Sequence, residues 1–297
     1  MTGWIRSFAL VPLMLLATTS SLSGQTAERD LPYGSDPKQR LDLSVPAGRG
    51  FATVLFVHGG SLTGGDKADD DYGAVCAPFV AAGIGCANVN YRLAPGHPWS
   101  AQAEDVAAAV AWVQANIRVR GGDQRKLFLV GHSSGAMLVA LVGADTAYLG
   151  QRRLATSALR GVVPMGSIMW DVELEEALAR YGRRRVEDAF ARGSDHAIFG
   201  SLDAYLDHWP IRHLRPGLPP YLFLIAEAEQ EHPPVLRTDS AFVARARALG
   251  NNAAYRTLPG RTHYSAVRQL GQPADATFAL IREFVRQFSE DAPGVGH

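Results

Sequence analysis

The chain has 297 residues, 47% of them hydrophobic, with 29 basic and 29 acidic side chains. That supplies apolar material for a large core in one or two domains. Near-zero net charge with no one-signed run argues against nucleic acid or an anionic membrane as partner.

In chain order, the amino terminus carries Arg6, an apolar run over residues 8–17, and small polar residues through Ser23 and Gly24. The run is too short to span a bilayer and reads as a secretory signal, residues 1–25, cleaved between about Ser20 and Ala27. The mature domain would be residues 26–297, secreted or periplasmic, with no stable membrane span. Residues 41–45 alternate like an antiparallel strand ending at Pro46. Residues 53–57 (TVLFV) are continuously apolar, as a strand covered on both faces must be. Similar runs follow at 86–90, 127–130, 161–165 and 221–225, and a weaker one at 253–258.

Helical patterns lie between them, over 101–117, from Ser134 to about Leu141, and where Phe278, Ile281, Val285 and Phe288 recur at three- and four-residue steps. Strands alternating with helices imply an α/β fold with a mostly parallel sheet, ligands binding at the carboxyl ends of its strands. Residues 172–215 break the rhythm. They carry Glu173, Glu175 and Glu176, then Arg180, Arg183, Arg184 and Arg185, and read as a helical lid or cap, or else as solvated surface helix. Cys76 falls in an expected helix and Cys86 in an expected strand; in an exported protein they could form a disulfide, but buried free thiols are the preferred expectation.

Gly131-His132-Ser133-Ser134-Gly135 follows one apolar run directly. Glycines two residues away on each side permit a very tight strand-to-helix turn, which lifts the Ser133 hydroxyl above the sheet and aims the next helix at developing negative charge. A serine is a poor nucleophile at neutral pH, so a base must take its proton and a third group must hold the base. His263, in a loop after the last strand, suits the base. Among the other histidines, His58 and His132 belong to their own motifs, His297 is terminal, and the rest lack a strand-end setting. The carboxylate is expected just after the 221–225 strand: Glu229, or Glu231 if the strand runs longer. His58-Gly59-Gly60-Ser61 follows a buried strand and offers, with Ser134, the backbone amides of Gly60 and Ser61 as oxyanion donors.

Four ordered blocks resemble the esterase/lipase branch of the α/β-hydrolase fold that includes hormone-sensitive-lipase-like and other small carboxylesterases. They are His58-Gly59-Gly60 with Gly65-Asp66-Lys67, Asn90 to Pro95 with Asp105 downstream, Gly131 to Gly135, and Pro259 to His263. The likeness covers about residues 33 to 290. It implies a triad of Ser133, a carboxylate and His263, an oxyanion hole from the His-Gly-Gly loop and Ser134, no cofactor and no metal, and Arg92 with Asp105 bracing the loop beneath the site. Three positions depart from the family pattern: Ser61 stands for a third glycine, Leu62 for an aromatic residue, and Glu229 for an aspartate. The expected function is a serine carboxylesterase acting on small-molecule esters through an acyl-enzyme. Amide, formamide or peptide hydrolysis on the same triad, and an inactive hydrolase-fold binding module, are the alternatives.

Overall fold

A strand buried on both faces sends alternate side chains into two separate layers, and the apolar runs do this. The computed structural model describes residues 25–230, 235–272 and 275–290. Its strands are β1 (Thr26–Pro32), β2 (Arg40–Val45), β3 (Phe51–Val57), β4 (Gly85–Val89), β5 (Gly122–His132), β6 (Leu159–Met165), β7 (Tyr221–Ala226) and β8 (Ala253–Leu258). They form one sheet in the order β1-β2-β4-β3-β5-β6-β7-β8. β2 is antiparallel to β1 and β4, and the pairs from β4 to β8 are parallel. All seven expected strands are present, β5 starting at Gly122 rather than Leu127. The unexpected strand is β1, a mostly exposed edge whose polar residues give no apolar signal. Most of the expected leader lies outside the described residues, and the far end of its cleavage window, Ala27, belongs to β1.

The helices are α1 (Cys76–Ala81), α2 (Trp99–Asn116), α3 (Ser134–Ala144), α4 (Thr146–Gln151), α5 (Val172–Tyr181), α6 (Arg183–Phe190), α7 (His196–Phe199), α8 (Leu202–Asp207), α9 (Val235–Ala248), α10 (Ser265–Arg268) and α11 (Ala276–Ser289). One layer packs α2, α3 and α9 on Leu55, Val57, Leu129, Val162 and Phe223. The other packs α1, α10 and α11 on Val54, Phe56, Phe128, Val130 and Val163. Among the described residues no helix is long and apolar enough to cross a membrane.

The 172–215 insertion has two parts. Phe199, Tyr205 and Trp209 join the main core, Phe199 lying against Trp99 at a ring separation of 6.0 Å. Tyr205 donates to Asp171 Oδ2 at 2.8 Å, and Asp171 also caps α5 by accepting from the Leu174 amide. By contrast α5 and α6 bury only Val172 and Val186.

The expectation of free thiols is corrected: Cys76 and Cys86 form a disulfide with Cα atoms 5.3 Å apart. The reason is tertiary, since α1 packs back on β4 and brings its first residue over the strand. A closed loop of this length contributes roughly 2–3 kcal/mol in the chain-entropy account.

His132 and His208 are 0% and 2% exposed. Burial, reinforced for His132 by the adjacent His263, lowers their pKa values to about 4 and about 3. The unfolded chain takes up these protons near pH ~6.5, whereas the folded chain resists until far lower. The neutral histidines therefore contribute fully above the unfolded value, and that contribution is lost as pH falls from ~6.5 toward 4. Between about pH 7 and 5 each is expected to lower stability by about 2 kcal/mol, measurable by urea unfolding at the two pH values. His208→Phe is expected to remove about half of that loss, and an unchanged slope would contradict the assignment.

Candidate active site

The strand register fixes which loops meet. Val57 pairs with Gly131, Gly131 with Pro164, Met165 with Leu224, and Ala226 with Leu258. The carboxyl ends of β3 and β5–β8 therefore share one edge, and the chain reverses its direction across the sheet between β3 and β5, the point at which open α/β sheets bind their ligands. The loops leaving this edge carry His58 to Leu62, Ser133, Gly166, Glu229 and His263.

Ser133 sits at φ 56°, ψ −128°, between the last residue of β5 and the first of α3. A Cβ on Gly131 would lie 2.3 Å from the Gly135 carbonyl oxygen, and one on Gly135 2.3 Å from that of Val57. Both flanking glycines are thus required by close backbone approach. The Ser133 amide donates to the Met165 carbonyl at 2.9 Å, tying the elbow to β6.

His263 and Glu229 meet. His263 Nδ1 donates to Glu229 Oε1 at 2.5 Å, and Glu229 Oε2 accepts from the Ala226 amide at 3.1 Å. Glu229 is 4% exposed. A hydrogen on Nδ1 leaves the Nε2 lone pair of the neutral ring free to take a proton. Glu231 lies outside the described residues. A second carboxyl, Asp239 on α9, is fully buried, and burial together with the charge of Glu229 holds it well above the usual carboxylate range. Among the described residues Ser133 Oγ has no hydrogen bond; such contacts are often long without substrate and close when it binds.

In the 58–62 loop Gly60, Ser61 and Leu62 have φ of 131°, 53° and 66°. Ser61 thus adopts the left-handed backbone that the missing third glycine would favour, and two consecutive residues with side chains there cost on the order of 1–3 kcal/mol each. The surroundings impose this shape. His58 Nδ1 donates to the Gly59 carbonyl at 2.7 Å, Tyr91 donates to the His58 carbonyl at 2.9 Å, and buried Gln102 donates to the Leu62 carbonyl at 2.7 Å. Among the described residues the amides of Gly60, Ser61 and Ser134 are engaged in no hydrogen bond. Below the loop, Arg92 grips Asp105 through Nε and Nη2, the latter at 2.6 Å, and Lys67 bridges Asp42 and Asp30 at 2.7 and 2.8 Å.

Several residues here carry no sequence signal that singled them out. Tyr72, in the 58–75 connection, meets His132 Nδ1 at 2.9 Å, and His132 Nε2 meets the His263 carbonyl at 2.9 Å. Asp71 pairs with Arg268, whose guanidinium lies 4.9 Å above the Tyr264 ring. Gln102 and Asp239 look like ordinary polar positions on amphipathic helices. Their roles emerge only from tertiary packing.

Comparison with known proteins gives three kinds of match. A family model described as alpha/beta hydrolase fold matches residues 54–266. Esterase LipC of Mycobacterium tuberculosis is 30% identical over 251 residues, which cover 78% of this chain and 58% of that protein, so the chain spans about three fifths of that relative. Over a shorter stretch of 107 residues, 34% of this chain and 30% of the relative, it is 37% identical to the gibberellin receptor GID1 of Oryza sativa subsp. japonica. Among solved structures, a tributyrin-phosphonate-inhibited esterase B of Lactobacillus rhamnosis superposes with a TM-score of 0.68 at 20% identity, covering 90% of this chain and 87% of that one.

Proposed function

Because this chain belongs to the alpha/beta hydrolase family, matched over residues 54–266, we propose that it is a serine hydrolase cleaving carboxylic esters through an acyl-enzyme. The observation that carries the reading is the His263–Glu229 contact at the strand ends beside the Ser133 elbow. Ser133 Oγ attacks the ester carbonyl while His263 Nε2 takes its proton, and Glu229 holds the ring and balances the imidazolium charge. The tetrahedral oxyanion rests on the amides of Gly60, Ser61 and Ser134, a role supported by their having no competing hydrogen bond among the described residues. On collapse His263 returns the proton to the leaving alcohol. Water, activated by the same base, then releases the acid.

The names of LipC and esterase B support ester chemistry for the site. Residues 172–215, which leave the sheet at the carboxyl end of β6, are the segment we assign to covering the entrance. Export to an oxidising compartment accords with the Cys76–Cys86 disulfide.

The test is turnover of p-nitrophenyl acetate and butyrate against matched anilides, with mass-spectrometric mapping of a fluorophosphonate label. Ester turnover with the label on Ser133 is the expected result. Faster anilide cleavage would make it an amide hydrolase. No label and no turnover would leave a hydrolase-fold binding module.

A further inference from the structure

His132 is fully buried, one residue from Ser133, and both its ring nitrogens are engaged at 2.9 Å. Its Nε2 faces the His263 main-chain carbonyl, which can only accept, so the ring hydrogen is on Nε2. Nδ1 must then accept, and the Tyr72 hydroxyl donates to it. Tyr72 comes from the connection that begins as the 58–62 loop, and its oxygen lies against Gly59, 2.8 Å from where a Cβ there would stand. The two imidazoles are 4.5 Å apart between centroids.

Resting on the triad reading above, we propose that His132, its tautomer set by the His263 carbonyl and its Nδ1 anchored by Tyr72, is a positioning residue that fixes the main chain of His263 so that Nε2 faces Ser133. Main-chain bonds tie the neighbouring Thr262 and Tyr264, and Glu229 holds the ring at Nδ1, but none of these reaches the His263 carbonyl. The His132 bond grips the same residue at its carbonyl, and two fixed points define the direction of Nε2. The relay also couples the two loops that act on the substrate: the 58–62 loop through Tyr72 and the base loop through residue 263. On its far side the base loop is clasped by Asp71 to Arg268 and by Arg268 to the Tyr264 ring.

The arrangement needs a neutral His132, because a cation there would oppose the imidazolium formed on His263 during each turnover. Burial and the neighbouring His263 keep it neutral down to about pH 4. The titratable and charged groups around His263 are Glu229 from the turn after β7, His132 from β5, Tyr264 beside it, and Tyr72, Asp71 and Arg268 one ring further out.

The experiment compares wild type, His132→Phe and Tyr72→Phe, with active sites counted by fluorophosphonate titration so that only competent molecules enter the rate. For His132→Phe the expected result is a fall in kcat on the order of 10²-fold with KM little changed, as a misaimed base produces. Tyr72→Phe, which keeps the Nε2 hydrogen, is expected to lose about tenfold. If His132→Phe does not fold, Tyr72→Phe decides by the same readouts. A merely structural histidine would lower the melting temperature and leave both kcat per titrated site and KM within about twofold, which overturns the proposal. Wild type that takes up no label overturns the underlying triad reading instead, before any variant is compared.

Discussion

Ser133→Ala is expected to lose ester turnover on the order of 10⁶-fold while melting close to the wild type. The hydroxyl forms the covalent bond of the acyl-enzyme, and no neighbouring group can replace it. The fold is spared because a methyl side chain inherits the same backbone, φ 56° and ψ −128°. That backbone costs a residue with a Cβ on the order of 1–3 kcal/mol. Ser133→Gly should therefore be equally inactive yet more stable by about 1 kcal/mol, after the greater freedom of glycine in the unfolded chain is deducted. For a protein of this size that is a rise of about 2–4 °C. Activity assay and calorimetry on the two variants check both halves. Substantial turnover by Ser133→Ala would remove the nucleophile from the mechanism, and a lower melting point for the glycine variant would contradict the strain.

Glu229→Gln is expected to reduce kcat on the order of 10⁴-fold with little change in KM. The replacement is isosteric, but the amide can present its own hydrogens to His263 Nδ1, favouring the tautomer with the proton on Nε2. A ring protonated on Nε2 cannot accept from Ser133. The variant also loses the charge that balances the imidazolium. Glu231→Gln, measured in parallel, is expected to be near wild type. Exchange of the two results would transfer the orienting role to Glu231.

The outcome along the chain shows which physical signals are local. The strands from β3 to β7 are covered on both faces, so their apolar runs stand out within five residues of sequence. β1 is an exposed edge held by its backbone and by Asp30 and Arg29, and a polar edge strand has no composition of its own. Gly131, Ser133 and Gly135 were legible because the tight turn admits few residue types. His263 was legible because strand order places its loop on the same edge. Spacing favoured Glu229 over Glu231 only through the expected end of β7, and the return of the Glu229 side chain to the Ala226 amide has no signature in the sequence. Tyr72 and the Cys76–Cys86 bond depend on where α1 and its preceding loop pack, and no periodicity encodes that.

The two-part character of the 172–215 insertion has an evolutionary consequence. α7 and α8 are rooted in the core that the sheet shares, while α5 and α6 rest mainly on a small outer cluster in which Val186 of α6 packs with Leu202 and Leu206 of α8. Drift, recharging or exchange of the outer pair therefore leaves undisturbed the strands from which residues 133, 229 and 263 hang. Selection can remodel this outer storey while the ground plan of the site is inherited intact.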